Sequence, residues 1–166
     1  MRIGIAASEM EGEATGVGRA VAGLLDGLAE SDFDGSVVAY FRGSRFDHPL
    51  WDDPRFEPRF SASGASPVVW EQRQLPSQIG DVDLFLGPAY ALPRRLPCPG
   101  VVIIHDLSFE VLPDEFGLRE RWRRRWLARR AAHQAARVLT VSGRVASEIE
   151  ARYGTPASKI GVLRWG

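Results

Sequence analysis

The chain has 166 residues, of which 45% are hydrophobic and 25% are charged, as is typical of one soluble globular domain. No apolar run approaches the roughly 18 residues of a membrane-spanning helix, and the N-terminal segment turns acidic too early for a signal peptide. Cys98 is the only cysteine, which excludes a disulfide framework and any CxxC zinc or redox site. We therefore expect a cytoplasmic protein with one domain over residues 1–166.

The charges are unevenly distributed although the net charge is zero. Residues 1–118 contain 9 Arg and 18 Asp or Glu, whereas residues 119–166 contain 12 Lys or Arg and 3 Glu. This asymmetry predicts surface patches of opposite sign.

Apolar runs alternate with helical spacing in the first part of the chain. Arg2–Ala7 and Ser36–Phe41 are predicted strands, and Gly16–Glu30 is a predicted helix between them because its apolar residues share one face. Residues 43–66, rich in Gly, Pro and charged residues, predict a long excursion with little regular structure. The next predicted strands are Pro67–Trp70, Asp83–Gly87 and Val101–His105.

Two helices are predicted in the second part of the chain. The longer one extends from about Pro113 to Ala136, with Pro113 suited to the first helical turn and Asp114 to its positive end. The shorter one, Arg144–Tyr153, has Ser142 as its N-cap and Gly154 as its stop. The strands beside them are Arg137–Val141 and Ile160–Leu163.

This alternation predicts an α/β fold that is Rossmann-like and doubly wound. We expect a mainly parallel sheet of about seven strands with helices on both faces. Because the chain stops just after a predicted strand, we also expect it to be the first half of a longer protein.

The segment Thr15-Gly16-Val17-Gly18-Arg19 opens the first predicted helix. Glycines at a helix N-terminus allow close backbone approach, and the free N–H groups there favour an anion such as a nucleotide phosphate. The alternative is that the glycines only permit a tight entry into the helix. A dinucleotide fingerprint fits badly, because Val21 stands where its third glycine would be.

His105 and Asp106 follow a buried strand at the edge where open α/β sheets bind ligands. An imidazole at that edge can hydrogen-bond a sugar hydroxyl. The alternative is a structural pair that braces the loop.

Several motifs now occur in order: a Gly-x-Gly-Arg loop, a strand ending in HDLSF, the helix RWRRRWLARRAAHQA, then ARVLTVS and YGTPASKIGVL. Together they resemble the N-terminal domain of the retaining GT-B glycosyltransferases of group 1 (family four), which includes many bacterial mannosyltransferases. The resemblance implies half of a GT-B fold on the acceptor side, and a C-terminal donor-binding domain that is absent from this chain. It implies transfer of a hexose from a nucleotide-sugar to a glycan or lipid-linked acceptor, without a metal or cofactor. This chain alone is expected to be inactive.

The resemblance also implies roles for three motifs. His105 matches the histidine that contacts the transferred sugar, and Asp106 matches its neighbour, interpreted as a loop brace or acceptor contact rather than a base; these two are the candidate catalytic residues. Ser142 matches the serine of the TVS motif, interpreted chiefly as a helix cap. The candidate donor- and acceptor-binding residues are Ser142 and the glycine loop, which comprises Gly16, Val17, Gly18 and Arg19.

Arg119–Arg130 contains 7 Arg and 1 Glu, and Leu118, Trp122 and Trp126 share one face of this predicted helix. One interpretation is a solvated charged face whose tryptophans pack on the sheet. The other is a surface that meets anionic lipid at the inner membrane. No nucleic-acid motif accompanies these charges, so no nucleic-acid partner is expected. The candidate membrane patch comprises Arg119, Trp122, Arg123, Arg124, Arg125 and Trp126.

Two other functions stay open from the sequence. One is half of a GT-B sugar-nucleotide epimerase, and the other is a module that binds nucleotide or sugar without catalysis. No His, Cys and Asp cluster has the spacing of metal ligands.

Overall fold

The structure, a computed structural model, describes residues 1–12, 15–112 and 115–163. These residues form two compact units, named here the first unit and the second unit. The first unit consists of Met1–Pro88 and Pro93–Pro99, and the second consists of Ala89–Leu92 and the chain from Gly100 onward.

The first unit contains four parallel strands in the order β3-β2-β1-β4. The chain reverses its direction of winding at β1, because β2 and β4 pair on opposite sides of it. The carboxyl ends of β1 and β4 thus flank a topological switch point, where α/β sheets bind ligands. The elements are β1 (Arg2–Ala6), α1 (Gly16–Glu30), β2 (Ser36–Phe41), β3 (Phe56–Phe60), α2 (Pro67–Val69) and β4 (Leu84–Gly87).

The second unit contains three parallel strands with β6 in the middle. Its elements are β5 (Gly100–Ile104), α3 (Ser108–Val111), α4 (Leu118–Gln134), β6 (Arg137–Thr140), α5 (Gly143–Tyr153) and β7 (Ile160–Val162). Helix α4 buries Leu127 and a row of alanines, whose small side chains permit close packing. Its end is held by Lys159, whose Nζ donates hydrogen bonds to the carbonyl oxygens of Ala132 (3.0 Å) and His133 (2.8 Å).

The predicted fold class is confirmed. The described residues contain seven strands, every pairing within each unit is parallel, and helices lie in most of the connections between consecutive strands, as in a Rossmann-like α/β fold. Helix α1 and strand β2 have the predicted bounds, and five further predicted strands are displaced by no more than one residue at an end.

Residues 43–66 contain more regular structure than predicted: strand β3 and a 3-10 turn, Pro49–Asp52. β3 pairs only with β2 among the strands of its unit, and an edge strand tolerates Pro58. The segment is anchored by aromatic contacts, since the ring of Phe41 lies 5.1 Å from that of Phe60 and 5.3 Å from that of Phe46, centroid to centroid. Packing, rather than a strand-like sequence, therefore stabilises this excursion.

The predicted strand Pro67–Trp70 is wrong, because this segment is helical. α2 passes into a π-helical turn, Trp70–Gln74, and then into a 3-10 turn, Leu75–Ser77. Pro67 occupies the first turn, where its missing N–H costs nothing. Trp70 is buried and its Nε1 donates a hydrogen bond to Ser61 Oγ at 2.9 Å, which fixes the start of the segment.

The predicted helix from about Pro113 to Ala136 is also wrong at both ends. α4 begins at Leu118 after an N-cap glycine and ends at Gln134. It ends there because the Ala136 N–H donates to the Gly100 carbonyl oxygen at 2.7 Å as the chain enters β6. Pro113 and Asp114 lie outside the described residues.

Candidate functional site

The carboxyl ends of β5 and β6 carry three of the predicted site residues. His105 and Asp106 directly follow β5, and Ser142 lies two residues beyond β6. The register pairs Ile104 with Thr140, and the buried Thr140 hydroxyl donates a 2.7 Å hydrogen bond to the Ile104 carbonyl oxygen. The two strands therefore end at the same level, joined at the last pair.

Asp106 braces the loop between β5 and α3. Its Oδ1 accepts a 2.7 Å hydrogen bond from the Ser108 N–H, so the side chain stabilises the turn that opens α3. Asp106 is exposed and His105 is half-buried. The imidazole thus lies at the edge of the sheet, next to an anchored turn.

Ser142 is the N-cap of α5, as predicted. Its Oγ accepts a hydrogen bond from the Val145 N–H at 3.2 Å. The helix ends at Gly154, whose φ of +67° is the left-handed conformation that favours glycine.

Tyr90 is a candidate that the sequence analysis does not predict. Its φ is +47°, an uncommon backbone conformation that costs a tyrosine about 1–3 kcal/mol and is concentrated at functional sites. The Tyr90 N–H donates a 2.9 Å hydrogen bond to the carbonyl oxygen of Ile103, near the end of β5. The ring lies 6.0 Å from that of Phe109, and the guanidinium carbon of Arg124 lies 5.8 Å from the Tyr90 ring centre. The one feature of the sequence that indicates an unusual backbone near Tyr90 is the pair Gly87-Pro88 just before it.

The predicted glycine loop lies in the first unit, in the first turn of α1. Thr15 is the N-cap, and its Oγ1 accepts a 2.9 Å hydrogen bond from the Gly18 N–H. A Cβ on Gly18 would lie 2.3 Å from the carbonyl oxygen of Glu9, whereas a Cβ on Gly16 would meet no atom within 4 Å. Gly18 is therefore required for the packing of α1 against the turn after β1. Ligand binding by Gly16, Val17, Gly18 and Arg19 stays a prediction.

The tryptophans of helix α4 are exposed, whereas one interpretation of the sequence predicts that they pack on the sheet. Leu118, Trp122 and Trp126 have 82%, 69% and 43% of their surface exposed. That part of the interpretation is wrong, because Leu127 and the alanines provide the buried face instead. The apolar stripe of α4 faces solvent.

The arginines of α4 differ in their contacts. Arg124 Nε donates to Glu120 Oε1 at 2.9 Å, and Arg121 Nε donates to the Phe109 carbonyl oxygen at 3.1 Å. Arg119 and Arg129 are exposed, and neither has an acidic partner among the residues that the structure describes. Arg119 and Arg129 thus carry positive charge that no described carboxylate balances, whereas Arg123 lies 3.8 Å from Glu120 Oε1.

Glu110 connects three helices of the second unit. Its side chain is only 4% exposed, and its Oε1 lies 3.2 Å from Arg125 Nε and accepts a 3.2 Å hydrogen bond from the Tyr153 hydroxyl. Burial, together with the nearby Glu110 carboxylate, raises the pKa of Tyr153. Arg125 therefore neutralises a buried carboxylate, while about half of its own side chain stays exposed.

Within the described ranges, no three His, Cys, Asp or Glu side chains come together as metal ligands would. No helix in those ranges has the length and apolarity needed to cross a membrane.

Comparison with known proteins assigns the chain to a family. The family model described as Glycosyltransferase Family 4 matches residues 14–166, which include the glycine loop, the His105-Asp106 turn and all of α4. No curated protein matches the chain. Because the match covers nearly the whole sequence and the fold is the α/β fold expected for this family, the chain belongs to glycosyltransferase family 4.

Proposed function

We propose that the chain forms the acceptor-side half of a glycosyltransferase. It would transfer a hexose, with mannose as the first candidate, from a nucleotide-sugar to a glycan or lipid-linked acceptor with retention. The family match over residues 14–166 carries this proposal, together with the position of His105 directly after β5. A second domain would hold most of the nucleotide-sugar, as in the two-domain enzymes that the sequence resembles.

His105 is the residue proposed to contact the transferred sugar. A neutral imidazole presents one donor and one acceptor nitrogen, which suits a sugar hydroxyl whose hydrogen bonds strengthen as the glycosidic bond breaks. Asp106 would orient the loop through its bond to the Ser108 amide, and the Tyr90 phenol would contact the acceptor. The reaction as proposed uses no metal or cofactor, and the nucleotide-sugar is its substrate.

The test is His105→Ala in the full-length enzyme, assayed with nucleotide-sugars and candidate acceptors. We expect kcat/KM to fall roughly 10- to 1000-fold, with little change in thermal stability, because the lost contact belongs to the transition state. His133→Ala is the matched control: it makes the same chemical change at an exposed histidine in the last turn of α4, before the amino end of β6, and should leave the rate nearly intact. Unchanged kcat/KM in His105→Ala would overturn the assignment.

The half-enzyme proposal has its own test. Residues 1–166 alone should unfold cooperatively and show no sugar transfer, whereas the full-length protein should transfer. Robust turnover by residues 1–166 would refute it. Interconversion of nucleotide-sugars without an acceptor would instead favour the epimerase, and binding without turnover by the full-length protein would favour the non-catalytic module.

We further propose that the exposed face of α4 contacts anionic membranes, which would place the cytoplasmic enzyme at the periphery of the inner membrane. Trp122 and Leu118 offer apolar side chains, and Arg119, Arg123 and Arg129 surround them with positive charge. Each basic residue near an anionic surface contributes about 1 kcal/mol, and the attraction decays over about 8 Å at physiological salt. A lipid-linked acceptor would be met at the same surface.

Vesicle co-sedimentation tests this second proposal. The combined change Arg119→Ser and Arg129→Ser should weaken binding to anionic vesicles roughly 30-fold, at about 1 kcal/mol for each arginine. Arg144→Ser is the control, because Arg144 is also exposed but lies on α5 and pairs with Glu148. Equal recovery of the unmodified protein with neutral and anionic vesicles at low salt would refute a membrane role.

A further inference from the structure

A surface pocket of about 760 Å³ in the first unit is lined by three arginines. Arg73 lies in the helical segment between β3 and β4, and Arg94 and Arg95 lie in the segment that precedes β5. The pocket's volume is typical of sites for small molecules, so it exceeds what a single inorganic ion needs.

These three guanidinium groups have no acidic partner in the part of the chain that the structure describes. Partners are available, because acidic residues outnumber arginines in the first unit. Arg59, for example, pairs with Glu57 at 2.7 Å, and Arg55 pairs with Asp53 at 2.8 Å. The three arginines are exposed and place positive charge without a described acidic partner around one pocket, which favours an anion there.

Both walls of the pocket are anchored in the fold. The helical segment is held by Trp70 and Leu75, which are buried. The opposite wall leads to Pro99, whose carbonyl oxygen accepts a 2.9 Å hydrogen bond from the Phe85 N–H near the amino end of β4. This wall therefore lies toward the amino ends of the strands, away from the switch point at their carboxyl ends.

We propose that this pocket binds a phosphate group with two or more negative charges, carried by a phosphomonoester or a diphosphate. Guanidinium groups bind phosphate oxygens through two parallel N–H donors and keep their charge at every physiological pH. Pro76 and Pro97 line the same pocket and offer apolar surface to the carbon skeleton that bears the phosphate. A phosphate group of this kind occurs both in soluble phosphorylated metabolites and in the headgroup of phosphatidic acid. The proposed binding is independent of glycosyl transfer.

Pyrophosphate titration of the full-length protein, followed by calorimetry and by thermal unfolding, tests the soluble form of the ligand. We expect saturable binding, with a loss of affinity of roughly tenfold or more in Arg73→Ser and in Arg94→Ser, as for a lost charge-assisted hydrogen bond. Arg94→Lys should recover part of the affinity, because it restores the charge without the second donor. Arg45→Ser is the matched control: Arg45 is exposed in the same unit, lies outside the pocket and should not affect binding.

Vesicles containing phosphatidic acid test the lipid form, with phosphatidylcholine vesicles for comparison. Trp122→Ala, Arg119→Ser and Arg129→Ser are combined in the background of every protein compared, so that binding through α4 is weakened equally in all of them. Arginine-dependent binding of pyrophosphate alone would assign a soluble ligand, and arginine-dependent pelleting with phosphatidic acid alone would assign the headgroup. Failure of both probes to bind up to millimolar concentrations, or binding that survives Arg73→Ser combined with Arg94→Ser, would overturn the proposal.

Discussion

Replacement of Gly18 by alanine tests whether this glycine is needed for packing of the first turn of α1, independently of the ligand binding predicted for the glycine loop. The added Cβ would lie 2.3 Å from the Glu9 carbonyl oxygen, well inside the ordinary contact distance of 3.4–4 Å, so α1 or the turn after β1 must move. Such overpacking costs about 1–3 kcal/mol, and the higher helix propensity of alanine offsets up to about 1 kcal/mol. Because the clash is with a backbone atom, the cost falls in the upper half of that range, and we expect a net loss of about 1–3 kcal/mol in the free energy of unfolding, or about 2–12 °C in Tm.

Gly16→Ala is the matched control, because it makes the same chemical change two residues away. Its Cβ would meet no atom within 4 Å, so its effect should lie between none and a stabilisation of about 1 kcal/mol. Urea unfolding followed by far-UV circular dichroism measures both variants without any ligand. Equal stability of Gly18→Ala and the unmodified protein, or equal losses in both variants, would refute the packing argument.

Two further predictions concern the buried carboxylate of Glu110. Arg125→Ala should lower the free energy of unfolding by about 1–3 kcal/mol, as measured by urea unfolding. The reason is that the Tyr153 hydroxyl is then the one donor left to the Glu110 carboxylate among the described residues. Arg125→Lys should restore part of this loss. Since burial raises the pKa of Tyr153, the folded protein retains a proton that the unfolded chain releases near pH 10, so stability should fall as pH rises past that value. Tyr153→Phe should flatten this decline, and an unchanged pH dependence would contradict the burial argument.

The elements predicted most accurately are those whose local signals agree with their packing. α1 has apolar residues at helical spacing, and Val21 and Leu25 from that set are buried. α5 is bounded by a serine cap and a left-handed glycine, two signals that act within one turn of the helix.

The errors come from segments whose structure depends on distant residues. Val68 and Val69 favour a strand by composition, but the buried Trp70 and the proline at position 67 favour helical turns there. β3 contains a proline and charged side chains, which local patterns assign to a loop, and only its pairing with β2 makes it a strand.

The candidate site is predictable in part for the same reason. His105, Asp106 and Ser142 stand in short motifs next to strands, so the sequence alone assigns them to strand ends. Tyr90 depends on a backbone angle that no pattern encodes. The arginine pocket joins two segments about twenty residues apart, and its existence depends on how they fold together.

The contact between Lys159 and the end of α4 has a consequence for labelling this chain with amine-reactive reagents. Lys159 is the sole lysine, and its Nζ donates hydrogen bonds to two carbonyl oxygens. Acylation of that amine would remove its charge and release the end of α4, whereas the arginines of α4 and of the pocket would not react. A fluorophore coupled to the N-terminal amine would therefore leave both arginine surfaces chemically intact.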